Sequence, residues 1–113
     1  MPNEPLTLDD TFNPSSGVRI LRLNGPLIIS NLFDFQARVR ANVAPHLILD
    51  FAGVPYVDSA GIGALVGAYV THNKEGRTLA LVAVTDRVRA ALGVTHVEQF
   101  FRFFDSIESA TAA

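Results

Sequence analysis

The residue pattern predicts an α/β domain in which a mixed β-sheet carries helices packed against it. Three observations lead there. Two short extended segments separated by a turn cluster open the chain. Two nearly continuous apolar runs follow, at 47–51 and 79–84, with a helix-forming stretch after each. No internal repeat or linker divides the 113 residues, so residues 1–113 read as one domain, with a short flexible start and a short C-terminal tail.

Leu6, Leu8 and Phe12 begin a weakly alternating strand that the cluster Asn13-Pro14-Ser15-Ser16-Gly17 breaks. Val18, Ile20, Leu21 and Leu23 then alternate with Arg19 and Arg22, apart from one break at Leu21. This reads as a half-exposed strand paired with the first. Asn24-Gly25-Pro26 is a turn, and Leu27-Ile28-Ile29 a short strand beyond it.

Ser30 or Asn31 suits a helix N-cap. The helix would carry Leu32, Phe33, Phe35, Val39 and Val43 on its apolar side and end before Pro45. Leu47-Ile48-Leu49-Asp50-Phe51 has the composition of a central strand covered on both faces. After the loop containing Gly53, Pro55 and Tyr56, Asp58 or Ser59 caps a helix that Asn73-Lys74-Glu75-Gly76 closes, Gly76 serving as a left-handed cap. A strand at 79–84 follows, and strand, helix and strand in succession imply a parallel pair. Thr85 or Asp86 caps a further helix containing Val88, Ala91 and Leu92, which Gly93 ends. Phe100, Phe101, Phe103 and Phe104 fall in a short strand or turn, and an amphipathic helix at about 105–112 finishes the chain. Leu49, Ile62, Leu65, Leu81 and Val84 are the expected core.

Composition removes several classes of function. A net charge of −2 and a pI near 5.8, with basic residues scattered along the chain, leave no footprint for nucleic acid. The absence of cysteine excludes disulfides and thiolate chemistry. His46, His72 and His96 are widely separated and read as surface or helix-end residues, so neither metal nor cofactor is expected. The start, Met1-Pro2-Asn3-Glu4-Pro5, lacks the basic and apolar pattern of a secretory signal. The longest apolar run, 60–70, is about half the length a membrane span needs. A cytoplasmic protein without membrane contact is the expectation.

The segment Tyr56-Val57-Asp58-Ser59-Ala60-Gly61-Ile62-Gly63 stands at a strand-loop-helix junction. The start of a helix offers unpaired N–H groups and a partial positive charge, so an anionic group is favoured there. Gly61 and Gly63 add little bulk, which would let a protein surface or a phosphate approach the backbone. The packing reading of the same residues is that Asp58 is an N-cap and the glycines allow the helix to lie close on the sheet. Gly63-x-x-x-Gly67 has that same reading, because the run is too short for a membrane dimer.

From Leu47 onward, the apolar strand, the Gly53-Val54-Pro55-Tyr56 loop and Asp58-Ser59-Ala60-Gly61-Ile62-Gly63 resemble the signature of STAS domains, named for sulfate transporters and anti-sigma factor antagonists. The resemblance extends to Gly25, to Thr85-Asp86-Arg87-Val88-Arg89, and to Gly93-Val94 followed by Phe100-Phe101. It implies a single STAS domain that acts by binding and not as an enzyme. In the antagonist branch the serine after the aspartate is phosphorylated, which here is Ser59. The resemblance further implies an anti-sigma factor with serine kinase activity as partner, released when Ser59 is phosphorylated, and a PP2C-type phosphatase that restores binding. Tyr56, Asp58, Ser59, Ala60, Gly61, Ile62 and Gly63, with Ser30 and Asn31, are the candidate partner-binding residues.

Antagonists often carry acidic residues after the glycine, as Gly-Glu-Leu-Asp, next to the partner surface, whereas this chain has Gly25-Pro26-Leu27-Ile28. That departure bears on which partner kinase fits. It leaves open a second kind of STAS module, an adaptor in a stress complex or lipid transport system that is never phosphorylated. A serine hydrolase would need Gly-x-Ser-x-Gly, but position 57 is Val57 and only His96 has any prospect of approaching Ser59. A phosphate-binding Gly-Lys-Ser/Thr loop is absent.

Overall fold

The computed structural model describes residues 5–41 and 43–113. The expectation of a flexible start falls largely outside them. β1 (Thr7–Asn13) and β2 (Val18–Asn24) form the predicted hairpin, with Leu8 opposite Leu23 and Phe12 opposite Arg19. α1 (Leu32–Ala41), β3 (His46–Gly53), α2 (Ser59–Lys74), β4 (Thr78–Val82) and α3 (Asp86–Val94) follow. A short 3-10 turn at Glu98–Phe100, β5 (Arg102–Phe104) and α4 (Ile107–Ala112) complete the chain. The five strands lie in the order β1-β2-β3-β4-β5, antiparallel at the hairpin and parallel thereafter. The mixed sheet with helices against it is the architecture the sequence predicts.

Leu21 and Leu23 of β2, Leu47, Leu49 and Phe51 of β3, and Leu79 and Leu81 of β4 form one core with Leu32, Phe35 and Val39 of α1 and Ile62, Leu65 and Ala68 of α2. Alternation sends Ile48 and Val82 to the other face; both are buried but stand outside that core. α4 packs against β3, β4 and β5, beside a hollow lined by Ile48, Ala80, Ala110 and Thr111. The sheet is therefore covered on both faces at its centre, which explains the unbroken apolar run of β3.

Several local expectations need correction. Arg19, expected on a half-exposed strand, is 1% exposed. It points inward with Leu21 and Leu23, leaving Val18, Ile20 and Arg22 on the other face. Leu27-Ile28-Ile29 is not a strand: Leu27 makes one parallel bridge to Val57, and Ile29 already belongs to the turn before α1. Phe33 and Val43 are 69% and 71% exposed, because the buried stripe of α1 runs through Leu32, Phe35 and Val39 and the helix ends at Ala41. β4 stops at Val82, and Ala83 adopts a positive φ of 56° that re-aims the chain toward α3. Val84 accordingly lies beside the core, half-buried, and not within it. Gly93 stays inside α3, and the left-handed residue after that helix is His96 at φ 60°. The last helix starts at Ile107, capped by Ser106, and buries none of its residues fully. His72 does stand at a helix end, in the last turn of α2, but it is 2% exposed and not on the surface.

Candidate functional site

The starts of α1, α2 and α3 all lie at the carboxyl ends of β2, β3 and β4, since those strands are parallel. The motif segment is at the centre of this edge. Asp58 has extended backbone angles and is the N-cap of α2, its Oδ1 accepting from the Gly61 N–H at 2.8 Å. Its Oδ2 accepts from the Ile29 N–H at 3.0 Å. The Leu27 and Asp58 N–H groups donate to Tyr56 O and Leu27 O, each at 3.3 Å. Asp58 thus ties the loop before α1 to the start of α2, with both carboxylate oxygens occupied.

Asn31 serves the same loop. Its Oδ1 accepts from the Ile28 N–H at 3.1 Å and its Nδ2 donates to Pro26 O at 2.9 Å. Pro26 and Leu27 are buried, so the segment after Gly25 turns apolar side chains inward.

Ser59 is the first residue of α2. It is exposed, and its hydroxyl has no hydrogen-bond partner among the described residues. Between Asp58 and Ser59, the first therefore takes the capping role and leaves the second free. Ser30 is exposed on the adjoining turn and Ala60 is half-buried. Tyr56, also half-buried, carries the Arg87 guanidinium 4.9 Å from its ring centroid, which brings the start of α3 to the same edge.

Gly61 and Ile62 do not present open backbone or surface. Both are buried, and a Cβ on Gly61 would stand 2.0 Å from Leu27 O. Gly61 is thus required by packing between loop and helix. Gly63 and Gly67 are different: both are exposed, and a Cβ at either would meet no atom within 4 Å. The expectation that their spacing serves close packing on the sheet is incorrect. Each costs the helix about 1 kcal/mol relative to alanine and recovers nothing from the domain's own packing.

Ile29 and Phe33, 60% and 69% exposed, belong to the turn and first turn of α1 beside this edge. Sequence reasoning assigned both to structural elements; the signal against Phe33 is that it falls out of step with Leu32, Phe35 and Val39. His96 follows the C-terminal end of α3, whereas Ser59 stands at the opposite edge where the helices begin, so the two do not form a nucleophile-base pair. Among the described residues no cluster of metal-ligating side chains occurs.

The STAS domain family model matches residues 12–110. The chain belongs to the STAS domain family. This STAS domain is 26% identical over 94 residues to an anti-sigma F factor antagonist of Paenibacillus polymyxa, a match that covers 80% of each chain. Among solved structures it superposes on an anti-sigma factor antagonist from Mycobacterium paratuberculosis with a TM-score of 0.83 at 20% identity, covering 96% of this chain and 92% of the other. It also superposes on a sulfate transporter family protein from Wolinella succinogenes with a TM-score of 0.72 at 28% identity, covering 90% and 86%. Among the described residues of this STAS domain, no helix is long and apolar enough to cross a membrane.

Proposed function

We propose that this STAS domain is an anti-sigma factor antagonist switched by phosphorylation of Ser59. The unphosphorylated form binds an anti-sigma factor with serine kinase activity and so frees a sigma factor. The kinase phosphorylates Ser59 and ends the binding, and a PP2C-type phosphatase reverses the mark. The partner surface comprises Ser59 and Gly63 of α2, the Ser30 turn and Tyr56, with Ile29 and Phe33 as apolar contacts; Asp58, Ala60, Gly61, Ile62 and Asn31 hold that surface in shape.

The observation that carries the reading is the exposed, unpartnered Ser59 hydroxyl beside a fully engaged Asp58. Phosphorylation adds roughly −1.5 to −2 charges. At the first position of a helix the domain tolerates that charge, because the free N–H groups and the helix dipole favour it. A partner seated flush against α2 would have to desolvate it, and a penalty of only about 3 kcal/mol weakens binding more than a hundredfold. The switch needs no refolding.

A second reading, an adaptor that is never phosphorylated, draws on the likeness to the Wolinella protein and on the apolar Pro26-Leu27 segment. The test is a pull-down from lysate with wild type, Ser59→Ala and Ser59→Asp, with mass spectrometry of the captured proteins and of Ser59 itself. A kinase captured by wild type and Ser59→Ala but depleted with Ser59→Asp is the expected result. Equal capture by all three, with no phosphate on Ser59, would establish the adaptor.

A further inference from the structure

A groove of about 440 Å³ runs between α1 and α2, away from the Ser59 edge. Both helices follow parallel strands, so they run in the same direction and the groove has two distinct ends. Toward the helix starts it is lined by Phe35, Ala64, Gly67 and Ala68. Toward the helix ends it is lined by Arg40, Thr71, His72, Glu75 and Arg77. The ionisable groups all lie at one end, beside Val39 and Val43, and the other end is apolar except for Gln36.

The charges at that polar end do not cancel. Arg77 is paired with Glu75. His72 Nδ1 lies 2.8 Å from Ala68 O, so it carries the proton, and Nε2 accepts from Arg77 Nη1 at 3.2 Å. That arrangement is the neutral imidazole. Arg40 is exposed and makes no hydrogen bond or ion pair among the described residues. One uncompensated cation therefore stands at the polar end.

Gly67 supplies the independent observation. It sits in the middle of α2, where glycine disfavours the helix, and no neighbouring atom requires it. A side chain there would enter the groove. The glycine keeps open a space that the domain itself does not fill.

We propose that this groove binds a small amphipathic carboxylate of the medium-chain fatty acid class. Its alkyl chain lies over Phe35, Gly67 and Ala68, and its carboxylate meets Arg40. The size is that of an ordinary small-molecule site, apolar with a few polar groups that fix orientation. The single net positive charge suits a monoanion, and the polarity along the groove sets which way it lies.

The experiment is a titration of the isotope-labelled chain with decanoate, followed by backbone amide shifts, with decanol and acetate in parallel. Saturable shifts at Gly67 and Thr71 are expected with decanoate, about tenfold weaker binding with decanol, and no binding of acetate. Arg40→Gln should weaken decanoate by about tenfold and leave decanol unchanged. Gly67→Leu should fold with no loss of melting temperature and abolish both ligands. The proposal is overturned if Gly67 and Thr71 do not respond to decanoate, if Gly67→Leu binds as wild type does, or if decanol binds as tightly as decanoate. None of these outcomes depends on phosphorylation of Ser59.

Discussion

Arg19 and Asp10 are joined by a two-pronged ion pair inside the domain, Nε to Oδ1 at 2.8 Å and Nη2 to Oδ2 at 2.6 Å. The same guanidinium donates to the carbonyls of Arg38 and Val39, the last turn of α1. Arg19 therefore compensates the negative end of a helix dipole while crossing from β2. Asp10→Ala should remove the carboxylate that pairs with this buried cation and cost about 3 kcal/mol in urea denaturation. A loss within about 0.5 kcal/mol, the range of surface changes, would mean that the other partners of Arg19 suffice.

Leu81 is fully buried between α2 and the sheet. Leu81→Ala should lower stability by about 2–5 kcal/mol, the spread reflecting how far the surrounding side chains close the cavity. Equilibrium denaturation with an unchanged m-value would check it.

The two kinds of glycine in α2 should respond oppositely to the same change. Gly61→Ala places a methyl group against the Leu27 carbonyl, a backbone atom that cannot yield without moving the loop. It should destabilise the domain and perturb the amide signals of Leu27 and Ile29. Gly67→Ala meets no atom and should raise stability by up to about 1 kcal/mol. Equal losses from both would show that Gly67 has a structural neighbour after all.

Burial is the main force holding His72 below the usual histidine pKa; the hydrogen bond to Ala68 O opposes it and the Arg77 guanidinium adds to it. The folded state thus takes up its proton at lower pH than the unfolded chain. The resulting stability is complete above the unfolded value of about 6.5 and is lost as pH falls from there toward the folded pKa. Stability measured across this window should decline with falling pH, and His72→Gln should flatten that slope. A slope unchanged in the variant would assign it to other groups.

For Ser59, the expected outcome is that Ser59→Ala folds normally and still binds the anti-sigma factor, since Asp58 and not Ser59 supplies the cap. Ser59→Asp should also fold, because acid is favoured in a helix's first turn, but should bind more weakly. Its effect should be partial, as one charge and less bulk replace those of phosphoserine. Titration of both variants against the cognate anti-sigma factor checks this, and wild-type affinity in both would count against the switch.

The order and direction of the elements were legible because each switch between periodicities is marked by a turn or cap residue, as at Gly17, Asp58, Gly76 and Thr85. Arg19 was not legible. Val18-Arg19-Ile20-Leu21-Arg22-Leu23 admits two facings, and the one with arginine inside is rewarded by Asp10 across the hairpin and by the carbonyls at the end of α1, remote in sequence. His72 left a usable trace, standing four residues from Ala68 and seven from Leu65 on the buried stripe of α2. At the candidate site the capping role of Asp58 and the exposure of Ser59 follow from local chemistry. The contrast between Gly61 and Gly63 does not, since it depends on where the Leu27 carbonyl arrives.

The sheet order β1-β2-β3-β4-β5 has a consequence for how the domain comes into being. Each strand lies beside the one made just before it, and none must be inserted between two already joined. A nascent chain can lay down the hairpin first and then extend one growing border, a strand at a time, as it leaves the ribosome. The parallel pairings join residues as far apart as His46 and Thr78, so each crossover must be completed before its strand can pair. The border beyond the newest strand moves as synthesis proceeds, while the outer edge of β1 stays open to misjoining throughout.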